Sequence, residues 1–179
     1  VEGLLADDSL RYVQLAPHTF RPRIYPPQGY SVDDFNPNSL IHDYLGGQGI
    51  RFGTAPAPAP IASTNLFSQA QLPSGAEITG MLCYVKDDDA TQDMLSESTA
   101  RLLRINPLDG ADDATLTNVS IGTQGLSGPL VFAATVAAGL EQVDNKHFHY
   151  TVAITIAMNT EDDDYFDPMF RGCRIAYRP

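Results

Sequence analysis

Tryptophan is absent from the 179 residues, lysine occurs only at Lys86 and Lys146, and cysteine only at Cys83 and Cys173. There is no uninterrupted apolar run of about 18 residues, so no helical membrane span is expected. Basic residues number 11 against 22 acidic ones, for a formal net charge of -11. That balance argues against nucleic acid, whose affinity comes from neutralised phosphates, and against anionic membrane surfaces. Two cysteines 90 residues apart make neither a CxxC pair nor a Cys/His zinc cluster. No Gly-x-Ser-x-Gly elbow, His-Glu-x-x-His motif, phosphate-binding loop or dinucleotide fingerprint occurs. With no catalytic signature, the chain is read as non-enzymatic. The missing tryptophan also weighs against a sugar-hydrolysing site, which usually carries exposed aromatics.

What is present is punctuation and alternation. The 14 glycines and 13 prolines favour many short elements over long helices. Residues 10–16, LRYVQLA, alternate as a strand. Prolines 17, 22, 26, 27 and 37 make residues 17–53 irregular, because each fixes φ and removes a donor. The Ala-Pro tract at 54–62 is either a polyproline spacer or an ordered surface loop. Beyond Phe67 the pattern is β. A turn at 72–77 leads into a strand at 77–86, with Ile78, Leu82 and Tyr84 assigned to one face and Met81, Cys83 and Val85 to the other. Further strands are expected at 98–105, 116–121, 129–136, 147–158 and 172–178, with 93–100 reading equally as a short helix. The run at 147–158 is the cleanest, with Tyr150, Val152, Ile154, Ile156 and Met158 on one face. Short strands separated by turns indicate an all-β protein, an antiparallel β-sandwich of jelly-roll type. Residues 1–65 are expected to form an N-terminal strand plus an irregular, Pro- and aromatic-rich arm, and 66–179 the sandwich, as one structural unit.

The string LPSGAEITGMLCYVKDDDAT resembles the opening of a recurring, uncharacterised β-sandwich module of predicted secreted bacterial proteins. The Leu102–Leu103–Arg104 strand, the Asp144–Asn145 turn before Phe148 and Tyr150, and the closing Gly172, Ile175 and Tyr177 fit the same pattern. So does the segment from Leu15 to Pro22. The resemblance implies a sandwich in a secreted setting and carries no activity. The chain begins at Val1, which together with the lysine-poor composition is read as a processed, extracellular protein.

Three groups of residues invite functional readings. Cys83 and Cys173 both fall in strands. They form either a disulfide closing a loop of about 90 residues, worth on the order of 4 kcal/mol, or two buried thiols. The carboxylates Asp87, Asp88, Asp89, Asp162, Asp163 and Asp164 are loop oxygens suited to Ca²⁺, or simply solvated. His147 and His149, two apart on an expected strand, share a face and form a weaker metal pair. The aromatic and apolar residues Leu10, Tyr12, Val13, Leu15, Phe20, Tyr25, Tyr30 and Phe35 are too many for an idle tail. They pack on something, either their own domain or a neighbouring copy of the same chain, and are the candidates for assembly contacts. The resulting expectation is an extracellular structural subunit that self-assembles into a filament or surface layer. The N-terminal strand pairs either within its own sandwich or across to a neighbour. The alternatives are a virion decoration or fibre protein, or a secreted Ca²⁺-dependent carbohydrate-binding module.

Overall fold

The computed structural model describes residues 9–22, 40–43, 49–52, 61–87, 98–108, 112–123, 125–159 and 169–179. Within them run β1 (Arg11–Leu15), β2 (Arg21–Pro22), β3 (Leu40–Asp43), β4 (Gly49–Phe52), β5 (Ile61–Ala70) and β6 (Glu77–Asp87). They are followed by β7 (Thr99–Ile105), β8 (Asp112–Ser120), β9 (Gly128–Thr135), β10 (His149–Asn159) and β11 (Met169–Arg178). There is no α-helix among the described residues, and hence none long and apolar enough to cross a membrane.

Two antiparallel sheets face each other. Sheet A has the order β3-β4-β11-β6-β9, with β1 also paired to β11; sheet B has the order β2-β5-β10-β7-β8. The arrangement β1-β11-β6-β9 over β5-β10-β7-β8 is that of a jelly roll, in which the chain passes repeatedly between the two sheets. The core lies between them. In β10, Tyr150, Val152, Ile154 and Ile156 are buried inward, while Thr151 and Thr155 are half-buried on the other side. β10 sits between β5 and β7 with both edges hydrogen-bonded, and the outward Ala153 is also buried. The closing strand behaves as its alternation demands. Cys173 and Ile175 are buried and Tyr177 packs on the core, while Arg174 and Arg178 lie on the outer face.

The N-terminal segment belongs to this sandwich. β1 pairs with β11 of the same chain, Leu15 opposite Cys173 and Arg11 opposite Tyr177. A 3-10 turn at Pro17–Thr19 then carries the chain across to sheet B, where Arg21 pairs with Phe67. Proline at the start of this turn loses no needed donor. The Thr19 hydroxyl donates to the Ala16 carbonyl (2.8 Å) and accepts from the Ser68 hydroxyl (2.7 Å), tying the crossing to β5. Phe20 is wholly buried and meets the Phe170 ring edge-on at 5.2 Å. Of the two partners open to the N-terminal apolar residues, Leu10, Leu15 and Phe20 take their own sandwich, in which they are buried.

Three sequence expectations change. β5 begins in the Ala-Pro tract and pairs with β10 from Tyr150↔Ala70 to Asn159↔Ile61, so the division at 65/66 falls inside a strand. Ile78 lies in the core with Met81, Cys83 and Val85 rather than beside Leu82. The cause is a register shift between Ala176 and Tyr177 that leaves Thr79 unpaired and reverses the alternation. Finally, His147 is not on a strand with His149. It lies in the turn at 145–147, where its Nδ1 is 2.6 Å from Asp144 Oδ2. The Lys146 amide donates to the other carboxylate oxygen of Asp144 (3.0 Å), so that side chain organises the turn.

Candidate functional site

Cys83 and Cys173 stand opposite each other on β6 and β11 and are joined by a disulfide. Both are buried at the centre of sheet A. The bond spans the two central strands of that sheet and encloses all of β7 to β10 in its covalent loop.

The acidic residues are less converged. Asp87 is fully buried at the end of β6, opposite Gly128 of β9. Asp88, Asp89, Asp162, Asp163 and Asp164 lie outside the described residues, as do Tyr25, Tyr30 and Phe35. β6 ends where β11 begins, with Met169 opposite Lys86, so the first acidic stretch follows, and the second precedes, strand ends that are neighbours in sheet A. Among the described residues, no group of three or more His, Cys, Asp or Glu is placed to hold a metal ion.

Among the described residues, the turn at Asp144 holds a carboxyl whose proton affinity is shifted. The carboxyl is held below its ordinary value of 3.8, chiefly by the bond to the His147 ring. The His147 charge and the Lys146 and His147 amides assist, and partial desolvation opposes them. A carboxyl whose folded value is depressed stabilises the fold above its unfolded value, and that contribution is lost as pH falls through the folded one. Asp144→Asn is therefore expected to lose slightly less melting temperature than the wild type between about pH 5 and pH 2. The effect is small because both side chains are exposed, and thermal melts across that pH range check it.

The outer face of sheet A carries the more distinctive chemistry. Register places Tyr12 and Gln14 of β1, Arg174 and Ala176 of β11, Leu82 and Tyr84 of β6, and Val131 and Ala133 of β9 side by side on it. Gly172 lies opposite Tyr84, and Arg171 is the extra residue of a bulge between Phe170 and Gly172. Gly172 has φ +103°, a conformation that favours glycine, and a β-carbon there would run into the carbonyl oxygen of Leu15. Beside this close approach lies a cleft of about 190 Å³ bordered by Gln14, Tyr84, Arg171 and Arg174. The Arg174 guanidinium lies over the Tyr84 ring, 5.3 Å from its centre. Sequence reading missed this cleft. The available signal was a glycine inside a strand pattern, which marks a bulge or a close backbone approach.

The same sheet ends in an edge without charge. β9, GPLVFAAT, contains no ionisable residue, and Val131 is 38% exposed. Its inner side pairs with β6, and among the described residues no strand pairs with its other side. β1 lies on the far side of β11, which it shares with the β4-β3 pair; among the described residues no strand pairs with its other side, and Tyr12 is 37% exposed.

No family model matches the chain, and no curated protein matches it. A solved structure to which it is similar is the enzymatically active domain of tailspike protein 4 from bacteriophage CBA120. The identity is 11% and the TM-score 0.37, over 98% of this chain and 20% of that one. The chain thus spans a fifth of the length of that structure.

Proposed function

We propose that this protein is a non-enzymatic, extracellular structural subunit that assembles with copies of itself by extending sheet A. The observation that carries this reading is the relation between β1 and β9, each of which is paired on one side only among the described residues. Three successive antiparallel pairings, β1 with β11, β11 with β6 and β6 with β9, make β1 and β9 run in opposite directions. A second copy displaced sideways, without being turned over, brings its β1 antiparallel to β9 of the first. The sheet then continues across the contact in its own hydrogen-bonding pattern. Such a contact is head-to-tail, and when it does not close on itself it yields a filament or a layer.

Charge supports the same edge. Copies of a chain with net charge -11 repel each other over most of their surface, and β9 is an eight-residue strand on which no like charges meet. The buried disulfide and the resemblance to secreted sandwich modules support an extracellular setting.

A lysine placed on an edge strand is a common natural guard against strand addition. Val131→Lys is expected to keep the fold while raising the concentration needed for assembly about tenfold, equivalent to roughly 1.4 kcal/mol. Sedimentation velocity with negative-stain microscopy reads both. Assembly by Val131→Lys at the wild-type concentration excludes β9 as the contact.

A further inference from the structure

We infer that the cleft at Gly172 is a binding site for a small organic anion, a carboxylate or phosphate monoester carried on a single sugar-sized ring. This inference is independent of the assembly reading.

Four observations lead to it. First, the cleft lies at two departures from regular strand structure: the bulge at Arg171 and the glycine that lets the β1 backbone come close to β11. Bulges that re-aim a side chain are concentrated beside functional sites. Second, two arginines border the cleft and none of its lining residues is acidic, on a chain with twice as many acidic as basic residues. Third, among the described residues neither Arg171 nor Arg174 has a carboxylate partner. The nearby Arg178, by contrast, pairs with Glu77 at 3.4 Å. Fourth, the remaining walls suit a polar ring. Tyr84 offers an aromatic surface, and the Gln14 amide both donates and accepts.

The dimensions narrow the ligand. A cleft of about 190 Å³ lies below the range of roughly 300–1,000 Å³ typical of drug-sized ligands, so it takes one ring with one charged group. The guanidinium fork matches a planar carboxylate in two parallel hydrogen bonds and fits a phosphate equally well. Arg174 is already held over Tyr84, so less side-chain freedom is lost when an anion arrives.

The test is a titration of the ¹⁵N-labelled full chain with glucuronate, glucose 6-phosphate and glucose, followed by NMR. Saturable shifts at Gln14, Tyr84, Arg171 and Arg174 with one or both anions, and none with glucose, are expected. Comparison of the two anion arms tells carboxylate from phosphate. Arg171→Gln, at an exposed bulge position, is expected to weaken binding at least tenfold with an otherwise unchanged spectrum. Gln14→Glu supplies an internal carboxylate to the arginines and is expected to abolish binding. Equal response to all three sugars, no saturation with either anion, or undiminished binding by both variants overturns the inference.

Discussion

Replacing Cys83 and Cys173 together by alanine is expected to lower the melting temperature by about 10 °C. The covalent loop closes over a separation of 90 residues. In the chain-entropy treatment, a loop of that size restricts the unfolded chain by on the order of 4 kcal/mol. For a domain of this length, each 1 kcal/mol moves the midpoint by roughly 2–4 °C. The folded state loses little besides the bond, because both residues face the core from adjacent strands already paired in register. Calorimetry of the wild type, of the wild type with reductant under denaturing exchange, and of the double variant gives the comparison. Reduction and double substitution should produce similar shifts. A melting temperature that responds to neither shows that the two sulfurs are not bonded in the native protein.

Gly172→Ala is expected to cost at least about 3 kcal/mol, although it adds a single methyl group. A non-glycine residue at φ +103° is itself strained, by roughly 1–3 kcal/mol. The new β-carbon also meets backbone, the Leu15 carbonyl, and not the movable end of a side chain. Relief requires β1 to move away from β11, and Leu15 and Phe20 are anchored in the core on either side of that contact. Equilibrium unfolding in urea measures the loss. Amide exchange in 11–15 should rise at the same time, because β1 is the strand that gives way. Stability within about 0.5 kcal/mol of the wild type, the level of an ordinary surface substitution, contradicts the close approach of β1 to Gly172.

Much of the sandwich is readable from single strands because its side chains alternate. β10 and β11 declare their inner faces through Tyr150, Val152, Ile154, Cys173 and Ile175, and all are buried as that alternation requires. Elements that depend on distant partners are less visible. In β5 the apolar residues Leu66 and Phe67 are adjacent and the strand begins beside prolines, so its membership in sheet B comes from pairing with β10 rather than from its own pattern. β2 is two residues long and contains Pro22. The face of Ile78 is set by a bulge, which no two-residue period can anticipate. The cleft is hidden for the same reason. Gln14, Tyr84 and Arg174 are far apart in sequence and become neighbours only through the register of β1 and β6 on either side of β11. His147 looked like part of a strand, but the Asp144 side chain captures it in a turn.

The N-terminal residues illustrate how one feature supports two readings. Their apolar character indicates a packing partner, and for Leu10, Leu15 and Phe20 that partner is the chain's own sandwich. Tyr12 remains on the outer face of the edge strand, where a neighbouring sheet would meet it.

Hydrogen exchange in β9, measured across a dilution series, tests strand addition most directly. Amides of 130–135 that point away from β6 should be open in dilute protein and become protected as the concentration rises and assemblies appear by sedimentation. The outer amides of β8, at the edge of sheet B, should not change. A protein that remains monomeric throughout the series, or assemblies in which β9 exchanges as fast as in the monomer, would contradict growth through this edge.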